Sequence, residues 1–111
     1  MSHYKISHHA KLDLQRIYQY GFEQFGEELA DSYFWGFFDC FEKISERPEH
    51  YPAVDHIRIG YRRCVYKADT IYFRIQSSQV EIMAILGGQD VDEWLYRKLS
   101  GLSRTPNSSL N

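Results

Sequence analysis

Five basic residues, Arg58, Arg62, Arg63, Lys67 and Arg74, fall in or between short runs of β-branched and aromatic residues in the second half of the chain. Gathered on one face of a sheet, they would offer positive charge to a phosphate or carboxylate. Cleaving RNA asks for more than charge. It needs one group to activate the 2′-hydroxyl, another to protonate the leaving oxygen, and cations against the phosphate transition state. The segment after the last run, Leu86-Gly87-Gly88-Gln89-Asp90-Val91-Asp92-Glu93-Trp94-Leu95-Tyr96, is neutral and acidic, and Tyr96 alone makes no catalytic site. Two roles therefore stand for Arg62 and Arg63: pairing inside the fold with Asp13 or Asp55, and contact with a target.

Other chemistries find less support. The five histidines include no HExxH, and His8 and His9 diverge at a helix start, so no metal site is expected. Asp90, Asp92 and Glu93 read as a solvated turn leading into a helix. Ser, His and Asp occur without a nucleophile elbow. Gly87-Gly88 lacks the Lys-Ser/Thr of a phosphate-binding loop. Cys40 and Cys64 lie on different elements and form no CxxC pair, which suits two buried thiols better than a disulfide. No catalytic residue and no cofactor is expected.

The balance of charge narrows the partner. With 13 Lys and Arg against 15 Asp and Glu, the formal net charge is −2, whereas a protein that grips a nucleic acid backbone usually carries excess positive charge. A protein target is favoured, with DNA reached only indirectly. At 111 residues, 43% hydrophobic and 25% charged, the chain fits one globular domain. No apolar run reaches membrane-spanning length and the start lacks a signal peptide's apolar segment, so a cytoplasmic location is expected.

The spacing of apolar residues gives the elements. Tyr4 to Ile6 reads as a short strand and Ser7 as a helix N-cap. Ala10, Leu14, Ile17, Gly21 and Phe25 share one helical face, with Ala10 and Gly21 small enough for close helix approach. A second helix follows Gly26 with the inner stripe Leu29, Tyr33, Phe37, Phe41 and Ile44, and stops at Arg47 because Pro48 disfavours helix before it. The runs Asp55–Tyr66, Ile71–Ile75 and Val80–Leu86 form an antiparallel meander. Val80–Leu86, apolar on both faces apart from Glu81, suits a central strand. Val91 to Leu99 reads as a short helix, and residues 100–111 as a disordered tail after a domain over 1–99.

Aromatic residues make up 16% of the chain, a heavy load for so small a core. Phe34, Trp35 and Phe38 fall outside the inner stripe, and Tyr18, Tyr20 and Phe22 point to more than one side. Two readings stay open: these rings widen the core, or some line an apolar groove for a partner segment.

The order of elements, with Ile57-Arg58-Ile59-Gly60-Tyr61-Arg62-Arg63 in its place, resembles the ParE branch of the RelE/ParE toxin superfamily over roughly residues 4 to 95. Ala10, Asp13-Leu14, Ile17, Tyr18, Phe25-Gly26, Tyr33, Phe37, Phe41 and Pro48 also meet the family's pattern. The resemblance implies an α+β fold, a helical hairpin packed on an antiparallel sheet with a short C-terminal helix. It also implies a non-enzymatic toxin of a type II toxin–antitoxin pair, neutralised by a ParD-like antitoxin and inhibiting DNA gyrase. Arg58, Arg62, Arg63, Arg74 and Trp94 are the candidate partner contacts. The RNA-cleaving relatives cut mRNA on the ribosome, and where they carry a His, Lys or Arg this chain has Gly87 and Gln89, which counts against that activity. A toxin-derived module that only binds its antitoxin is the third reading.

Overall fold

Ser7 marks the change from strand to helix, and its bonds tie the two together. Its Oγ accepts from the Ala10 amide at 3.0 Å, capping the first turn, and donates to the Met83 carbonyl at 3.1 Å. The computed structural model describes residues 4–87. Within them β1 (Tyr4–Ile6) leads into α1 (His8–Phe25) and α2 (Glu27–Glu46). A single 3₁₀ turn (Pro48–His50) follows, and then β2 (Tyr61–Tyr66), β3 (Asp69–Gln76) and β4 (Gln79–Gly87). The expected helix over 91–99, Trp94 within it, and the tail at 100–111 lie outside the described residues.

Gly26 separates the helices. At φ 92 and ψ 169 it holds a conformation that a residue with a Cβ rarely adopts. Its amide closes α1 on the Phe22 carbonyl, while its own carbonyl accepts from Ala30 to start α2. Glu27 and Glu28 open α2 and Lys43 lies in its last turn, both favourable to the helix dipole. Gly21 faces Ala30, and a Cβ at Gly21 would meet the Ala30 side chain at an ordinary contact distance of 3.6 Å. Phe25 and Leu29, read as inward, are 64% and 60% exposed. They sit at the hairpin tip, where residues 22–29 are exposed throughout, and Ala30 takes the buried place instead.

The sheet has the order β1-β4-β3-β2. Its β2-β3-β4 meander is antiparallel as expected, and β1 joins β4 in parallel, so the whole sheet is mixed. β4 is central, which explains its apolar character on both faces. A bulge opposite Tyr72 and Phe73 shifts its register, so that Ile82 and Ile85 both face the helices while Ala84 and Leu86 face away. The larger core joins Leu14, Ile17, Phe37, Phe41 and Ile44 to Ile71, Phe73, Ile82 and Ile85.

A second, smaller core lies on the far face of the sheet, where Val54, Tyr61, Tyr72, Ala84 and Leu86 pack beneath the loop over 51–60. The run from Asp55 is therefore not strand until Tyr61. Gly60 turns at φ 86 and its amide donates to Asp55 Oδ1 at 2.8 Å, which folds 55–60 into turns. The loop then borders β2, with the Arg63 amide on the Pro52 carbonyl and the Val54 amide on the Tyr61 carbonyl. Tyr72 is 2% exposed for this reason.

Two contacts fix the helices on the sheet. Asp13, 6% exposed, accepts from the Ile85 amide at 2.9 Å, and Arg16 Nη2 reaches both Asp13 Oδ1 at 3.3 Å and the Ile85 carbonyl at 3.1 Å. On α2, Gly36 leaves the notch that holds Tyr66: its hydroxyl donates to the Tyr33 carbonyl at 3.1 Å, and its ring stacks on Tyr33 at 5.0 Å. A Cβ at Gly36 would collide with that hydroxyl and stand 2.7 Å from Cζ.

Asp13→Ala is expected to cost about 2–3 kcal/mol in urea unfolding, because it strands the Ile85 amide in the interior, and Asp13→Asn, which keeps an acceptor, about half as much. Gly36→Ala should destabilise by about 1–3 kcal/mol through overpacking. Adding Tyr66→Phe should recover part of that loss, and a double-mutant cycle showing simple additivity would remove the notch from the account.

Candidate partner-binding surface

α1 and α2 turn one flank to the sheet and the other outward, and the outward flank carries rings. Tyr18 and Phe34 meet edge to face at 5.6 Å, Phe34 contacts Trp35 at 5.0 Å and Phe38 at 5.2 Å, and Trp35 contacts Phe38 at 5.4 Å. Phe38 in turn contacts the fully buried Phe41 at 5.3 Å. The row therefore grows out of the core and is held by it. Of the rings outside the inner stripe, Phe34 and Phe38 widen the core by packing against it, whereas Trp35 is 61% exposed and Phe22 45%.

Between the helices the rings border an open groove of about 710 Å³, lined by Gln15, Tyr18, Gln19, Asp31, Phe34 and Trp35. The Tyr18 hydroxyl donates to Asp31 Oδ1 at 2.7 Å, which fixes the ring across the two helices and raises the hydroxyl's pKa. The groove has apolar walls and two amide side chains at its edge. This is the chemistry of a site for the apolar side of a peptide segment. Beyond it Phe22, Phe25 and Leu29 extend the exposed apolar surface to the hairpin tip.

The sheet divides the candidate arginines. Cross-strand pairing sets Arg63 beside Tyr72 and Arg74 beside Tyr61, so both lie on the far face, and Arg58 joins them with its guanidinium carbon 5.9 Å from the Tyr61 ring centre. Arg62 belongs to the opposite face, with Phe73 as its cross-strand neighbour, and donates through Nη1 to the Tyr51 carbonyl at 2.6 Å. Arg74 pairs with Glu81 at 3.0 Å. Neither Asp13 nor Asp55 takes Arg62 or Arg63: Asp13 is held by α1 and β4, and Asp55 by the Gly60 turn. Arg63 is exposed and tempers the upward effect of burial on the Tyr72 hydroxyl. Trp94 lies outside the described residues.

A further polar cluster links α2 to the turn between β2 and β3. The Tyr33 hydroxyl donates to Asp69 Oδ2 at 2.6 Å, and burial together with that bond pushes its pKa well up. It is a firm donor and fixes the turn. Among the described residues no group of three His, Cys, Asp or Glu lies close enough to hold a metal ion, and no helix is long and apolar enough to cross a membrane.

The groove was only partly visible in the sequence. Phe34, Trp35 and Phe38 declared themselves by falling outside the helical stripe, but the spacing carries no sign that Tyr18 and Asp31 would meet across the hairpin.

Comparison with known proteins agrees with this architecture. Residues 4–91 match the model of a family described as ParE toxin of type II toxin-antitoxin system, parDE. Toxin ParE1 of Caulobacter vibrioides is 33% identical over 86 residues, which cover 78% of this chain and 88% of that protein. A solved structure described as the chromosomal ParDE TA system from P. aeruginosa has the same fold, with a TM-score of 0.68 at 18% identity over 78% of this chain and 96% of its own. With the family model spanning most of the chain, and a curated relative at this identity, the chain belongs to the ParE toxin family of type II toxin–antitoxin systems.

Proposed function

We propose that this toxin acts by binding rather than catalysis, that its target is DNA gyrase in the cytoplasm, and that a ParD-like antitoxin neutralises it. The observation that carries the reading is the exposed aromatic row on the hairpin, rooted in the core through Phe38 and Phe41. A large apolar surface on a small domain marks a protein partner. The antitoxin is assigned to this surface, with an amphipathic segment laying its apolar side along the groove between Tyr18 and Trp35.

The charges support a protein target over RNA. Arg62 and Arg74 are committed to the Tyr51 carbonyl and to Glu81, and Arg58 packs on Tyr61. These groups shape the sheet and its loop, and they do not converge on one point as a phosphate transition state requires. Arg63, exposed on the far face, is proposed as a contact to gyrase, together with Trp94.

Purified antitoxin-free toxin, titrated against gyrase on relaxed plasmid with ATP, is expected to suppress supercoiling while linear DNA accumulates. Unchanged supercoiling at excess toxin would refute the gyrase target. Trp35→Ser should weaken antitoxin binding at least tenfold in calorimetry, as loss of an aromatic anchor does, and shift the unfolding midpoint little because the ring is 61% exposed. Full affinity in that variant would move the antitoxin to another surface.

A further inference from the structure

Along α2 the residues that face β2 recur at helical spacing, and each meets a strand residue two further back. Gly36 and Phe37 take Tyr66, the ring of which lies 4.7 Å from Phe37. One turn on, Cys40 comes beside Cys64, each thiol bearing on the other's ionisation, while the Cys64 Sγ donates to the Val65 carbonyl at 3.9 Å. Both are free, and both are half-buried against the main core, as is Tyr51. Two cysteines from elements far apart in sequence thus share one site, and the missing side chain at Gly36 draws helix and strand together beside it.

We propose that Cys40 and Cys64 form an oxidation site, at which a small disulfide such as glutathione disulfide converts the thiol pair into an intramolecular disulfide joining α2 to β2. Cys40, one turn from the Lys43 ammonium that favours its thiolate, loses its proton and attacks one sulfur of the oxidant. The oxidant's S–S bond breaks, and one thiolate leaves and takes up a proton. Cys64 then loses its proton and attacks Cys40 Sγ in the mixed disulfide, and the second oxidant thiolate leaves and is protonated. The sum is one protein dithiol and one disulfide giving one protein disulfide and two small thiols, with two electrons passed to the oxidant.

The geometry suits the product. Cys40 on α2 and Cys64 on β2 pack against the same core, and a disulfide asks the two sulfurs to close to a bond length of about 2.05 Å. Burial pushes the Cys64 thiol up to about 11 and raises Cys40 as well, so the pair rests as thiols and reacts with the oxidant slowly. Once formed, the bond closes a loop of about 25 residues that holds the 3₁₀ turn, Tyr51 and the whole 51–60 segment, and so restricts the unfolded chain.

The test uses the reduced full-length chain, incubated with glutathione disulfide, then denatured, treated with N-ethylmaleimide and weighed by intact mass spectrometry. The expected product is monomeric, two hydrogens lighter than the reduced chain and unalkylated, and it melts about 5–15 °C higher, a gain abolished by dithiothreitol. Cys64→Ser should stop at one glutathione adduct on Cys40. Persistent glutathione adducts on the unaltered chain, intermolecular dimers, or two alkylated cysteines after prolonged incubation would each overturn the proposal. So would a disulfide-bonded product with an unchanged or lower melting temperature.

Discussion

The edge of β4 is the constraint on which the rest of the structure depends. β1 pairs with only the first part of β4, from Val80 to Ile82, and beyond it the backbone of a central strand would lie buried with nothing to bond. α1 supplies the missing partners. Ser7 takes Ile82 through its amide and Met83 through its hydroxyl, Asp13 takes the Ile85 amide, and Arg16 takes the Ile85 carbonyl. A buried carboxylate is costly without partners, and here the Ile85 amide and Arg16 provide them. Side chains of a helix thus continue the ladder that a strand begins, and this sets where α1 lies and how far it can turn.

Once α1 is placed, the rest follows from packing. Gly26 reverses the chain, Gly21 and Ala30 bring the helices close, and α2 settles across the sheet with Phe37, Phe41 and Ile44 beneath it and the Tyr66 ring in the notch at Gly36. With one flank of each helix spent on the sheet, Tyr18, Phe34 and Trp35 are left on the other. The exposed rings are a consequence of the same helical spacing that builds the core. Among the described residues no helix covers the far face, and the loop over 51–60 packs on it with Val54 and Ile57. Arg58 and Arg62 hold that loop to β2, a structural use of positive charge at the positions that first suggested a phosphate site.

Much of the fold was legible because it rests on local periodicity. Ser7 as cap, Gly26 as break and Pro48 as stop are read residue by residue. The positive φ at Lys67, Ser77 and Ser78 is what tight hairpin turns of this twist demand. What escaped depends on partners far away in the chain. The parallel sense of β1 is invisible in three residues. The second core could not be seen because Asp55–Tyr66 has strand-like composition throughout, and only the Gly60 turn and its Asp55 acceptor tell where the strand begins. The candidate site was legible as a surplus of rings but not as a groove, since Tyr18 and Asp31 are brought together by the hairpin alone. The meeting of Cys40 with Cys64 depends in the same way on the register between α2 and β2.

The division of surfaces has an energetic meaning for recognition. A net charge of −2 gives an anionic backbone little attraction, and Arg62, Arg74 and Arg58 are turned to a carbonyl, a carboxylate and a ring. Affinity must then come from apolar area, and aromatic rings carry the most of it per residue. Rings also lose little freedom on binding, because Phe34 and Trp35 are already held by Phe38 and through it by Phe41. A surface anchored in this way presents its shape before the partner arrives, which lowers the ordering cost of association to that of the partner segment alone. The same anchoring ties the groove to the integrity of the core: whatever loosens the seating of α2 on the sheet, at Gly36 or at Cys40, also disturbs the rings that face outward.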